Sequence, residues 1–192
     1  IIAEDFIQND SVGLILGDNI FHGMARMKPS LDGAIVFAYQ VNDPGAYGVV
    51  EFDDGGQAIS IEEKPTNPKS TYAVPGLYFY DNKVVKLAKS LKPSSRGELE
   101  ITDINMHYLN SKSLNIEILG RGYAWLDTGT HESLLDASHF IKTLQVRQGI
   151  QIGCPEEIAY KSGWITSEQV AIQAAQSKNN YSKYLIQLIA GK

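Results

Sequence analysis

Three short stretches of this chain hold the residue types that chemistry needs. Asp18 follows the apolar run Ser11–Leu16 across Gly17, and Asp127 follows Tyr123-Ala124-Trp125-Leu126. A carboxylate at the carboxyl end of a strand can bind a hard cation such as magnesium. Two of them from two strand ends can share one ion, with phosphate oxygens and waters filling the octahedron. Each Asp can equally cap a turn or a following helix, and spacing alone does not separate the two readings. Glu63-Lys64-Pro65 closes another strand. Lysine is a point charge suited to a phosphate, although the pair read without context is a solvated ion pair. Tyr47-Gly48 follows a turn, and glycine lets a ligand approach a backbone amide closely; hairpin geometry alone also accounts for it. Ser94-Ser95-Arg96-Gly97 reads either as a phosphate nest or as a loop between helices. His22, His107, His131 and His139 show no metal-ligand spacing.

The elements that would position these groups follow from periodicity. Ser11–Leu16 and Gly33–Val41 are near-continuous apolar runs, the signature of buried strands. Asn42-Asp43-Pro44-Gly45 is a turn. Tyr47–Asp53 and Gln57–Glu63, joined by Asp53-Asp54-Gly55-Gly56, read as a hairpin. Tyr72–Tyr80 is a strand broken at Pro75-Gly76, as at a sheet edge or at a bulge beside a ligand. Helical spacing covers Asn82–Leu91 and Leu99–Leu109, and strands recur at Leu114–Leu119 and Tyr123–Leu126. Thr130 and Ser133 open a long helix to Gln148 that stops at Gly149. Three short helices follow, over Pro155–Tyr160, Ser167–Ala175 and Tyr181–Ile189. These patterns predict an α/β fold with a mixed, mostly parallel central sheet and flanking helices. They divide the chain into residues 1–149 and a helical C-terminal segment, 150–192. Ligands in such sheets sit outside the carboxyl ends of strands, which points to Gly17-Asp18-Asn19 and to Asp127-Thr128-Gly129.

Bulk properties narrow the classes. The chain has 192 residues, 43% of them hydrophobic, and a net charge of -5 with no basic cluster. That argues against a nucleic-acid partner. No apolar run approaches the ~18 residues that span a membrane. The single cysteine, Cys154, leaves no internal disulfide and fits the cytoplasm. Ile1–Ile7 has no basic region and no cleavage site. It reads as the end of an amphipathic helix, and with no initiator Met the chain reads as a piece of something longer.

Taken in order, the motifs carry far more than any one of them. They are Leu16-Gly17-Asp18-Asn19-Ile20-Phe21, Val41-Asn42-Asp43-Pro44, Tyr47-Gly48-Val49-Val50-Glu51-Phe52, Glu62-Glu63-Lys64-Pro65 and Gly76-Leu77-Tyr78-Phe79-Tyr80-Asp81. Arg96-Gly97-Glu98-Leu99-Glu100-Ile101-Thr102-Asp103 and Gly120-Arg121-Gly122-Tyr123-Ala124-Trp125-Leu126-Asp127-Thr128-Gly129 follow. This series resembles the bacterial glucose-1-phosphate thymidylyltransferases over essentially the whole chain, and Cys154–Ala159 is similar to that family too. The resemblance implies an incomplete Rossmann-like nucleotidyltransferase fold and a homotetramer. It implies a reaction in which dTTP and glucose 1-phosphate give dTDP-glucose and pyrophosphate, supplying dTDP-rhamnose and so surface polysaccharide. By the same resemblance Asp18 and Asp127 are magnesium ligands and Lys64 holds the sugar's phosphate. Glu63 meets sugar hydroxyls, Gly48 and Val74 offer backbone contacts, and Tyr78, Thr102 and Trp125 wall the sugar pocket. A second, regulatory nucleotide site is implied at His22, Gly23, Arg121, Glu157, Ile158 and Lys161. Lys161 stands where that family commonly has arginine, and a lysine cannot grip phosphate bidentately.

Two departures bear on activity. The family's Gly-rich nucleotide loop, its Arg and a catalytic Lys, and its thymine-reading residues have no counterpart in this sequence, so the chain alone is expected to be inactive. Met24–Asp32 is shorter than the helix-bearing segment the family carries. A crossover between parallel strands usually needs at least about 10–12 residues, and Pro29 breaks what is there. The rival readings are a UTP-, CTP- or GTP-using sugar-1-phosphate nucleotidyltransferase and a non-catalytic sugar-nucleotide-binding regulator. A glycosyltransferase would show an Asp-x-Asp metal motif, whereas Asp53-Asp54 falls in a predicted turn.

Overall fold

A computed structural model of the chain describes residues 2–23 and 32–191. The shortened stretch from Met24 to Asp32 therefore lies, Asp32 apart, outside the described residues. A short helix α1 (Glu4–Ile7) leads into β1 (Val12–Ile15), β2 (Asn19–His22) and β3 (Ala34–Gln40). A 3-10 turn at Pro44–Ala46 precedes β4 (Gly48–Phe52) and β5 (Ala58–Glu63), followed by β6 (Tyr72–Val74) and β7 (Leu77–Tyr80). Helices α2 (Lys83–Ser90) and α3 (Ile101–Asn110) cross back to β8 (Leu114–Leu119) and β9 (Ala124–Asp127). Helices α4 (His131–Gln148), α5 (Pro155–Lys161), α6 (Ser167–Ala175) and α7 (Asn180–Ile189) complete the chain.

The mixed sheet is there, but it is mostly antiparallel rather than mostly parallel. Among the described residues every pairing is antiparallel except β3 with β8, which run parallel from Ala34↔Leu114 to Tyr39↔Leu119. The reason is that a continuous apolar run reports burial on both faces and says nothing of strand direction. In β3, Ala34 and Val36 face one core with Tyr80, Val84, Ile104 and Tyr108, while Ile35 and Phe37 face another with Leu119. Removing a valine, isoleucine or phenylalanine side chain from water in this way contributes roughly 1.5–3 kcal/mol. The apolar β1 departs from expectation in another way. Leu14 and Ile15 are exposed, because β1 pairs with β7 alone among the described strands.

The broken strand is the organising feature of the sheet. Both halves, β6 and β7, lie against β3 on one side. On the other side β6 pairs with β4 and β7 pairs with β1. The sheet therefore forks at Pro75-Gly76. Three steps along β3, from Val36 to Tyr39, match five along the partner, from Tyr78 to Ala73. The break is a bulge inside the sheet and not an edge, and a bulge is where a missing proline N–H leaves no gap in the ladder. A separate two-stranded ribbon, β2 with β9, sets Asn19 opposite Asp127.

The chain forms two compact units, Ile1–Gly129 and Thr130–Lys192, with α4 in the second. Thr130 and Ser133 cap α4 reciprocally, and Gly149 ends it in the left-handed conformation that a side chain would resist. The second unit has its own small core of Cys154, Val170, Ala174 and Leu185.

Candidate active site

The fork opens a cavity of about 230 Å³. One wall is the end of the β4–β5 hairpin, where Gly48 pairs with Glu63 and the Lys64 N–H donates to the Tyr47 carbonyl at 2.9 Å. Lys64 has φ +44°, the left-handed region that residues with a β-carbon rarely occupy. A β-carbon at Gly48 would come within 3.2 Å of Glu63 Oε2 and 3.3 Å of Thr102 Oγ1. Those two atoms are already joined, the threonine hydroxyl donating at 2.5 Å. Thr102 is buried in the first turn of α3, and a helix N-terminus favours an anion nearby.

The opposite wall comes from the loop after β1 and from the ribbon. Leu16 N–H donates to the Gly76 carbonyl, and Gly76 N–H donates to Asn19 Oδ1, both at 2.9 Å. Gly76 has to be glycine, since a β-carbon there would sit 2.7 Å from Leu16 Cγ and 2.9 Å from Asn19 Cγ. Trp125 donates its indole N–H to Asn19 Oδ1 at 2.6 Å and packs edge-on against Tyr47, with ring centres 4.9 Å apart. Asp18 and Asp127 stand at the end of the ribbon, where the Thr128 backbone N–H and hydroxyl both donate to the Asp18 carbonyl at 2.9 Å.

All nine residues anticipated as metal or substrate contacts line this one cavity: Asp18, Gly48, Glu63, Lys64, Val74, Tyr78, Thr102, Trp125 and Asp127. Asn19, Tyr47 and Gly76 line it too; the sequence pointed to Asn19 through the strand-end Gly17-Asp18-Asn19 and to Gly76 through the Pro75-Gly76 break, without giving either a role. Burial, then Glu63 and Asp18, push the Tyr78 hydroxyl up. Burial, then Asp127 and Asp43, do the same to Tyr47. Both phenols therefore stay neutral at ordinary pH. Arg96 was read as part of a nest or a loop. Its guanidinium lies 3.8 Å from Glu63, 3.1 Å from Glu98 and 3.5 Å from Glu100, so it braces the loop before α3 against the cavity's own carboxylate.

The residues expected at a regulatory site do not line the cavity. His22 ends β2, and Gly23 and Arg121 lie in the turns beside the ribbon, where a β-carbon on Gly23 would fall 2.3 Å from the Gly122 carbonyl oxygen. Glu157, Ile158 and Lys161 lie on α5 in the other unit. There Glu157 takes hydrogen bonds from Lys161 at 2.5 Å and from Tyr184 at 2.6 Å, and Ile158 is exposed.

Comparison with known proteins assigns the lineage. A family model described as nucleotidyl transferase matches residues 1–143. The chain is 54% identical, over 98% of its length, to the glucose-1-phosphate thymidylyltransferase of Mycolicibacterium smegmatis. It is 55% identical over the same share to the enzyme of that name from Xanthomonas campestris. The chain belongs to the glucose-1-phosphate thymidylyltransferase family. It spans 68% of the first of these relatives and 66% of the second. A solved Bacillus anthracis structure, described as a glucose-1-phosphate thymidylyltransferase in complex with sucrose, is 44% identical with a TM-score of 0.64. The match covers 72% of this chain and 57% of that one. In this member of the family the nine anticipated contacts lie on the walls of one cleft.

Proposed function

We propose that this chain carries the sugar-phosphate and metal side of thymidylyl transfer, in which dTTP and glucose 1-phosphate give dTDP-glucose and pyrophosphate. A phosphate oxygen of glucose 1-phosphate attacks the α-phosphorus of dTTP. The new P–O bond forms as the bond to pyrophosphate breaks. The protein needs no covalent intermediate; it aligns two anions and offsets their charge. Lys64 meets the sugar's phosphate, aided by the first turn of α3. Glu63, kept in place by Thr102 and Arg96, accepts from sugar hydroxyls. Gly48 and Val74 offer backbone groups, while Tyr78 and Trp125 bound the ring.

Asp18 and Asp127 would hold magnesium. The donor set fits: among the described residues neither carboxylate is ion-paired, and no third His, Cys, Asp or Glu joins them in a cluster. A small hard cation with two protein carboxylates keeps room for phosphate oxygens and waters. When bound, such an ion neutralises charge on the phosphates during displacement. The observation that carries this reading is the pairing of β2 with β9, which puts the two aspartates at one ribbon end in the cavity that also holds Lys64. The same family reading brings a cytoplasmic homotetramer, a supply of dTDP-sugars such as dTDP-rhamnose, and nucleotide regulation through His22, Gly23, Arg121, Glu157, Ile158 and Lys161.

Asp127→Asn in the full-length enzyme tests the reading. It is expected to lower kcat by about 10²-fold or more with the melting temperature little changed. A kcat equal to wild type at saturating magnesium would overturn the metal assignment.

A further inference from the structure

Asn19 spends its side-chain amide in three directions. Oδ1 accepts from the Trp125 indole N–H at 2.6 Å and from the Gly76 backbone N–H at 2.9 Å, and Nδ2 donates to Asp18 Oδ1 at 2.8 Å. An indole N–H and a backbone N–H can only donate. The amide oxygen must therefore face both of them, and the group cannot be turned over. Its nitrogen is then committed to the side where Asp18 stands. The close approach at Gly76 restricts the side chain further, because no β-carbon separates the two residues.

We propose that Asn19 is the positioning residue of this site. One amide aims the Asp18 carboxylate and clamps the Trp125 wall, so cation affinity and sugar-phosphate affinity are set together. This rests on the magnesium and sugar-phosphate reading above. A single donor on Asp18 Oδ1 leaves the other oxygen and the remaining lone pairs for an ion, as partners of metal-binding carboxylates commonly do. The same amide ties the loop after β1, the break between β6 and β7, and strand β9. Replacing it with a carboxylate would keep an acceptor for Trp125 and Gly76 but leave Asp18 without its donor. Replacing it with alanine would remove all three bonds.

The test uses the full-length enzyme labelled with 5-fluorotryptophan, with Mn2+ as the probe ion. The Trp125 fluorine resonance is assigned by its loss in Trp125→Phe. Asn19→Ala is expected to shift that resonance, to weaken Mn2+ binding about tenfold or more, and to raise KM for glucose 1-phosphate. Asn19→Asp is expected to leave the resonance and that KM near wild type while kcat falls. Wild-type Mn2+ affinity with an unmoved resonance in Asn19→Ala would overturn the proposal. So would an Asn19→Asp enzyme whose resonance moves as far as that of Asn19→Ala. Failure of the underlying metal reading would look different, with Asp18→Asn binding Mn2+ as well as the wild-type enzyme does.

Discussion

Lys64 sits in a conformation that suits it poorly. Its φ of +44° costs a residue with a β-carbon roughly 1–2 kcal/mol, and Pro65 behind it further disfavours helical torsions. Hydrogen bonding to Tyr47 and the close of the hairpin hold it there, and strain held by its surroundings is typical of a functional position. Two substitutions separate the backbone from the ammonium. Lys64→Ala and Lys64→Gly should both raise KM for glucose 1-phosphate in the full-length enzyme. Only Lys64→Gly should also gain stability, by about 1 kcal/mol in denaturant unfolding. Equal stability of the two variants would show that the torsion carries no strain. Sequence reveals Glu63-Lys64-Pro65 as a strand end with a phosphate-seeking charge. It cannot reveal the torsion, because nothing about lysine as a type favours that region.

At the scale of elements, the fork at Pro75-Gly76 makes the cavity. Gly76→Ala would drive a β-carbon to 2.7 Å from Leu16 and 2.9 Å from Asn19. We expect it to destabilise the chain by about 1–3 kcal/mol, the usual range for overpacking, and to weaken glucose 1-phosphate binding; thermal melts and substrate titration check this. The β4–β5 hairpin was legible from its Asp-Asp-Gly-Gly turn, where Asp53 Oδ1 indeed takes the N–H groups of Gly55 and Gln57. Helix α4 was legible from Thr130, Ser133 and Gly149, because caps are local chemistry. Strand β2 was not: Asn19–His22 is short and follows a Gly-Asp turn, so it reads as the tail of a loop. The antiparallel pairing was hidden for a similar reason. Direction is decided by partners far away in sequence, and apolar periodicity is silent about them. Asn19 was quoted within a motif, yet its role emerges only when Trp125 and Gly76 arrive beside it.

On the scale of the whole molecule, the first unit is fastened by a buried acid. Asp81 is 7% exposed and accepts from Tyr108 at 2.7 Å, from the Lys83 and Gly33 N–H groups at 3.1 Å, and from the Lys83 ammonium at 3.0 Å. Burial pushes its carboxyl up, but the hydrogen bonds from Tyr108, Lys83 and Gly33 outweigh that and hold it below the ordinary value. With the folded value depressed, its stabilisation is complete above about pH 4 and drains away as pH falls through the folded value. Tyr108→Phe should cost about 1–2 kcal/mol at pH 7 and make the loss on acidification shallower, as urea unfolding at pH 7 and pH 3 would read. Equal acid sensitivity in both proteins would remove Asp81 from the account.

The ribbon of β2 and β9 has a consequence in time as well as in space. Its Trp125–Asn19 contact joins residues 106 apart in the chain, whereas the β4–β5 hairpin closes locally. Long closures are entropically slow and wait on the rest of the sheet. The two aspartates should thus meet late, after most strands have formed. On dilution from urea, far-ultraviolet circular dichroism should recover ahead of the Trp125 signal, and a refolding chain would regain its shape before its two aspartates stood side by side.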